Sequence, residues 1–225
     1  MFASIAPRYD LLNRLLSLGL DQSWRRKMIA RLPALQAGDR VLDLCTGTGD
    51  VAQALCEGLP DEVTVHAGDF CEAMVERAPE KTEGEDRPAQ FFVGDVLALP
   101  YPDATVRAIT VAFGLRNVQD PAAGLREMAR LLTPGGRVLV LEFSKPKSKL
   151  FNALFRVYVF GILPRVGRLL SGSSVDAYRY LPESVWAWAG PEVVAAHMDA
   201  AGLTVLEQKP LLLGGVMLHV AERRG

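Results

Sequence analysis

Short, nearly unbroken apolar runs recur along this chain, and several of them stop on an aspartate or a glycine. DRVLDL (Asp39 to Leu44), EVTVHA (Glu62 to Ala67), QFFV (Gln90 to Val93), the run from Val106 to Phe113 and RVLVLEF (Arg137 to Phe143) have the length and the branched or aromatic content of strands. Helical patterning fills Asp50 to Glu57 and Ala122 to Leu132 between them. Strands that are apolar throughout, rather than in alternation, are buried on both faces. The pattern therefore predicts an α/β protein with a doubly wound, mainly parallel sheet covered by helices. Thr204 to Lys209 and Val216 to Glu222 come last, and the Gly-Gly between them allows two neighbouring strands, one of them antiparallel. Ligands of such sheets bind beyond the carboxyl ends of the strands. At one of those ends the stretch VAFGLRNV (Val111 to Val118) delivers an arginine and an asparagine just where the apolar run stops.

Composition narrows the picture. A chain of 225 residues, 49% hydrophobic and 23% charged, suits one domain over 1–225. A net charge of -1 and a pI near 6.3 argue against general nucleic-acid binding. Cys45, Cys56 and Cys71 form no CxxC pair and suit reduced thiols. His66 and His197 lack acidic or cysteine partners at metal-ligand spacing, so no metal is expected. MFASIAPRYD has no basic region followed by an apolar one, so no secretory signal is expected and the protein is expected in the cytoplasm or at the inner face of the membrane. The charged segment Glu80 to Arg87 reads as a solvated loop.

The chemistry gathers at the strand ends. VLDLCTGTGD (Val41 to Asp50) is a strand, a turn carrying Gly47, Thr48 and Gly49, and a helix start. Its GxGxxA spacing also fits a dinucleotide site. A pyrophosphate would sit on the helix N-terminus, and Asp43 and Asp50 would repel it there. S-adenosylmethionine (SAM) instead brings an ammonium and a sulfonium, which these carboxylates favour. Asp50 as a helix cap and Asp43 as a turn anchor are the structural alternatives. Asp69, 20 residues past Gly49 and closing the next strand, suits ribose hydroxyls, and Asp95 with the Val96 backbone suits an adenine edge. Together these residues outline one adenosyl pocket.

RYDLLNRLLSLGL (Arg8 to Leu20) with Trp24, DLCTGTGD, FGLRNV, LLTPGGRVLVLEFSKP (Leu131 to Pro146) and YRYLPESV (Tyr178 to Val185) make the chain resemble the ubiquinone/menaquinone biosynthesis C-methyltransferases along nearly its whole length. The resemblance implies the seven-stranded fold of class I SAM-dependent methyltransferases, with N-terminal helices in 1–35 and a helical lid over about 145–190. It implies SAM contacts at Thr48, Asp69, Asp95 and Val96. It also implies methyl transfer to a ring carbon of a prenylated hydroquinone, demethylmenaquinol first and the methoxy-benzoquinol precursor of ubiquinone second. Asp21, Cys71 and Ala112 depart from the His, Ser and Ser that the family often carries.

A ring carbon becomes nucleophilic when an adjacent oxygen donates electron density. Arg116, a permanent cation, and Asn117, both donor and acceptor, are accordingly expected at that oxygen. Tyr9, Asn13, Tyr178 and His219 are candidates for hydroxyl contact or proton acceptance. For Arg116 a salt bridge, and for His219 a satisfied core position, are the alternatives. Two other classes stay open: a nicotinamide-dependent oxidoreductase, and a non-catalytic SAM-binding member of a quinone-synthesis assembly.

Between Phe143 and Val175 stand Lys145, Lys147, Lys149, Arg156, Arg165 and Arg168 with no acidic residue, interleaved with Phe151, Leu154, Phe155, Tyr158, Phe160, Ile162 and Leu163. Asn152 and Arg156 break the run, so it does not read as a transmembrane helix. Two expectations follow: a lid that receives the prenyl tail and touches the anionic inner leaflet, or a helix pair packed on the sheet or on a second subunit in a homodimer. Trp186 and Trp188 would serve either interface or core.

Overall fold

The computed structural model describes residues 14, 17, 19–83, 88–162, 165 and 183–225. Its centre is a seven-stranded sheet of order β3-β2-β1-β4-β5-β7-β6. The strands are β1 (Arg40–Leu44), β2 (Thr64–Asp69), β3 (Gln90–Val93), β4 (Val106–Ala112), β5 (Leu132–Phe143), β6 (Leu203–Leu211) and β7 (Val216–Arg223). The first five run parallel, and β7 lies antiparallel between β5 and β6.

The helices are α1 (Asp21–Ile29), α2 (Asp50–Gly58), α3 (Glu72–Val75), α4 (Pro121–Leu131), α5 (Lys149–Val157) and α6 (Pro191–Ala200). Each central strand sends alternate residues to opposite layers. Val41, Ala108, Leu139 and Leu141 pack with Trp24 and Met28 of α1 and with Val51, Ala52 and Leu55 of α2. Leu42, Ile109, Val138 and Val140 pack with Leu125 and Met128 of α4 and with Val194 and Met198 of α6. Apolar residues are therefore required at every position, which is why these strands read as unbroken runs. Helix α4 starts where Pro121 follows Asp120, whose carboxylate accepts the Ala123 N–H at 2.9 Å.

The structure moves some expected boundaries. β2 starts at Thr64 because the preceding residues turn, with Val63 N donating to the Pro60 carbonyl, and it runs on to Asp69 beside β3. β5 starts at Leu132, ahead of the expected Arg137, with an irregular register opposite Val106 and Ala108. In the expected solvated loop Glu80 to Arg87, the chain forms a 3-10 turn over Ala78–Lys81, and Thr82 is fully buried. Residues 84–87 lie outside the described residues, as does most of 163–182 in the expected lid. Among the described residues no helix is long and apolar enough to cross a membrane.

Candidate functional site

The strand order reverses between β1 and β4, and in a sheet of this topology the crevice opens there, beyond the carboxyl ends. A cavity of about 280 Å³ occupies that place, near the lower end of the roughly 300–1,000 Å³ usual for small-molecule sites. Gly47, Asp69, Asp95, Val96 and Asn117, each expected from the sequence, line it.

Its floor is the turn after β1. Gly47 and Gly49 hold φ of 56° and 86°, left-handed values that glycine adopts without strain. Asp43, nearly inaccessible, accepts from the Thr46 hydroxyl at 2.6 Å and the Thr110 hydroxyl at 2.7 Å, tying the turn to β4. Burial pushes its acid up to about 7 against the pull of those two hydroxyls. Asp69 accepts the Gly47 N–H with one oxygen and the Cys71 N–H with the other, both at 2.9 Å. Burial raises its acid as well, opposed by those backbone donors. A carboxylate has about four acceptor sites, so Asp69 keeps capacity for hydroxyl donors in the cavity. Thr48, buried beneath, accepts from Lys81 Nζ at 2.9 Å.

Asp50 is not the cap of α2; Gly49 holds that position, and Asp50 is the first helical residue. Its carboxylate is paired with Arg25 of α1 and with Lys81, the latter at 2.5 Å. The expected repulsion of a pyrophosphate by Asp43 and Asp50 is therefore corrected. One carboxylate meets two cations, and the other is buried between hydroxyls with a raised acid.

The structure also corrects Arg116 as a free cation. Leu115–Asn117 form a 3-10 turn after β4, which puts Asn117 on the cavity and turns Arg116 away from it. The Arg116 side chain is 6% exposed and lies 2.8 Å from Glu142, itself 1% exposed near the end of β5. It also donates to the Phe113 carbonyl and stacks over the Phe143 ring at 5.1 Å. A carboxylate buried on an otherwise apolar strand takes the nearest cation, because an unpaired charge there costs several kcal/mol.

His219 is likewise a core residue. It is 2% exposed on β7, 3.1 Å from the Gln208 amide, and burial pushes its pKa down to about 4. It does not line the cavity. Tyr9, Asn13 and Tyr178 lie outside the described residues.

Sequence reading missed part of the wall. Phe70, 62% exposed directly after Asp69, lines the cavity with Met74, Leu97, Phe113 and Gly114. An aromatic residue placed just past a strand-ending aspartate was the available signal for Phe70. Phe113 adopts φ of 56°, and a Cβ on Gly114 would stand 2.2 Å from that of Cys45, so the two turns touch only because Gly114 lacks a side chain. Carboxylate acceptors at Asp69 and Asp95 beside apolar Phe70, Met74, Val96 and Leu97 suit a ribose and a purine. A larger cavity, about 460 Å³, lies at the opposite end of the sheet around Thr64 and Gln90, away from these groups.

Residues 1–223 match the ubiE/COQ5 methyltransferase family. The chain is 49% identical to a demethylmenaquinone methyltransferase of Deinococcus radiodurans over 100% of this chain and 91% of the relative. It is 47% identical to one of Thermus thermophilus over 99% and 100%. A ubiquinone/menaquinone biosynthesis C-methyltransferase UbiE of Geobacter sulfurreducens is 40% identical over 99% and 87%. Among solved structures, a SAM-dependent methyltransferase from Aquifex aeolicus superposes with a TM-score of 0.63 at 21% identity, covering 88% of each chain.

Proposed function

The chain belongs to the ubiE/COQ5 methyltransferase family, and from that premise we propose that it moves a methyl group from SAM to a ring carbon of demethylmenaquinol, giving menaquinol. The observation that carries the reading is the cavity at the β1–β4 switch point, where Gly47, Asp69, Asp95 and Val96 meet Asn117. When bound, SAM supplies a methyl group made electrophilic by a positive sulfur. Asp69 would accept from ribose hydroxyls, Asp95 and the Val96 backbone would meet the adenine edge, and Phe70 would lie against the purine.

Asn117 orients the quinol oxygen next to the reacting carbon. With SAM bound, density donated by that oxygen would let the ring carbon take the methyl group in place of its proton, which would pass to an acceptor at the site or to solvent. Arg116 acts on Asn117 from behind: its bonds to Glu142 and the Phe113 carbonyl fix the turn that presents the asparagine. Much of the rate then rests on holding ring carbon and methyl group in line. Tyr9, Asn13 and Tyr178 are the hydroxyl contacts or proton acceptors of this reading.

The prenyl tail makes a membrane the natural source of substrate. Helix α5 exposes Leu150, Leu154 and Val157, and Phe160 and Ile162 continue the apolar surface. Lys145, Lys147, Lys149, Arg156 and Arg165 flank it, without an acidic residue from Lys145 to Arg165. That basic charge beside exposed apolar side chains suits peripheral contact with an anionic leaflet.

The test is methyl transfer from labelled SAM to reduced demethylmenaquinone and to the methoxy-benzoquinol precursor in parallel, in liposomes. Transfer to the naphthoquinol alone is expected. Transfer to both rings makes the enzyme one of ubiquinone synthesis as well, a reading favoured by the UbiE relative; methylation of neither overturns the substrate assignment.

A further inference from the structure

Three consecutive residues of the turn after β1 are each held by a hydrogen bond to a side chain outside the turn. The Thr46 hydroxyl donates to Asp43 at 2.6 Å, the Gly47 N–H donates to Asp69 at 2.9 Å, and the Thr48 hydroxyl accepts from Lys81 at 2.9 Å. Two of these anchors sit on the strands that frame the cavity. The third does not. Lys81 comes from the 3-10 turn Ala78–Lys81, in a stretch whose charges suggested only solvation.

Lys81 is in turn held in place. Its ammonium meets Asp50 Oδ1 at 2.5 Å, while Asp50 Oδ2 is taken by Arg25, which also pairs with Asp21, and Asp21 accepts from the Ser17 hydroxyl at 2.7 Å. The chain of contacts runs from the segment before α1, through α1, to the first residue of α2 and on to the glycine turn. Arg25 and Lys81 draw the Asp50 acid below its usual range against the cost of burial, so its carboxylate stays ionised. Helix α1 reaches the site a second way: Trp24 packs on Phe113, ring centroids 6.1 Å apart, and Phe113 lines the cavity.

A turn with left-handed glycines on both sides of Thr48 has wide backbone freedom when nothing restrains it. Ordering it at the moment of binding would subtract from cofactor affinity, and restraints present beforehand remove that loss. We propose that Lys81 and Arg25, joined through Asp50, are positioning residues that hold the glycine turn ready for SAM. They touch neither of the reacting groups. Their effect appears in cofactor affinity, leaving the quinol and the chemical step unaltered. The proposal rests on the methyltransferase reading above.

Equilibrium dialysis of labelled SAM against the full chain tests it, with wild type, Lys81→Met, Lys81→Arg and Arg25→Met compared. Methyl transfer at saturating SAM and the unfolding midpoint without cofactor are measured on the same samples. Lys81→Met is expected to weaken SAM binding about tenfold, in line with one charge-assisted hydrogen bond. Lys81→Arg restores most of the affinity, Arg25→Met weakens binding less than Lys81→Met, and KM for the quinol and kcat stay as in wild type. Lys81→Met binding SAM like wild type overturns the assignment. So does a loss of affinity that tracks a lowered unfolding midpoint, extends to the quinol and is not restored by arginine. Wild-type protein that takes up no SAM overturns the methyltransferase reading along with it, which separates the two failures.

Discussion

The Arg116 guanidinium lies 2.8 Å from the Glu142 carboxylate, and both side chains are sealed from solvent between the ends of β4 and β5. The same guanidinium holds the carbonyl of Phe113, whose φ of 56° is a conformation that non-glycine residues seldom keep without restraint. The pair thus braces the turn that aims Asn117 into the cavity.

Removing one partner should cost about 3–5 kcal/mol, because the other charge stays buried and unpaired. Arg116→Met and Glu142→Leu are each expected to lower the unfolding free energy, followed in urea, by that amount, and the double variant to regain part of it, the Arg116 and Phe143 N–H groups having lost Glu142 as acceptor. Turnover should stay low in the two variants that lack Arg116, since neither can make the bond to the Phe113 carbonyl. A double variant as unstable as the sum of the singles would show that the two residues are not coupled.

Gly114 lets the turn after β4 touch the turn after β1, where a Cβ would stand 2.2 Å from that of Cys45. Gly114→Ala should destabilise the protein by about 3 kcal/mol, at the upper end of ordinary overpacking. In a domain of this size the melting point should fall by roughly 6–12 °C. Adding Cys45→Gly should recover much of the loss, because it removes the colliding side chain and suits the φ of 54° at that position. An unaltered melting point in Gly114→Ala would refute the contact.

Burial raises the Asp43 acid from its ordinary value to about 7. The folded protein therefore binds a proton more tightly than the unfolded chain. Stability from this group is present below about pH 4 and declines as pH rises towards 7. Asp43→Asn keeps partners for both threonine hydroxyls and removes the titration. Wild type minus variant, followed by urea unfolding from pH 4 to 8, should show that decline; a flat difference would contradict it.

His219 runs the other way. Its pKa of about 4 means that the folded state resists protonation, so stability from this group is present above about pH 6.5 and lost as pH falls towards 4. His219→Asn should become less sensitive to acid over that window while methyl transfer near pH 7.5 changes by less than about threefold, the spread expected away from the reacting groups. A hundredfold loss of kcat would return His219 to the role of proton acceptor.

The apolar face of α5 should bind anionic vesicles. Wild type is expected to co-sediment with phosphatidylglycerol liposomes at low salt and less at high salt, as screening demands. Leu154→Gln with Val157→Gln should reduce binding about tenfold, the order expected for burying two such side chains less well. A protein that stays in the supernatant at every salt concentration would leave the quinol to arrive by another route.

The order of strands and helices along the chain, and the end of the sheet at which the cavity opens, were legible in the sequence. Val41 and Leu42, or Leu139 and Val140, face opposite layers that are both buried, so burial alone demands an apolar residue at each, and such runs are visible without a structure. Gly47, Asp69, Asp95 and Val96 were legible because each follows a strand run, and parallel strands bring those ends together whatever their connections do. Whether a charge is free or spent was decided only in three dimensions. Glu142 stands 26 residues from Arg116, and Lys81 stands 31 from Asp50. Charge pairing acts through space at a few ångströms, which no periodicity along the chain records. The sequence could name the groups at the sheet's edge, but folding determined that Asn117 faces the cavity, that Arg116 supports it from behind, and that a lysine in an apparent surface loop holds the glycine turn.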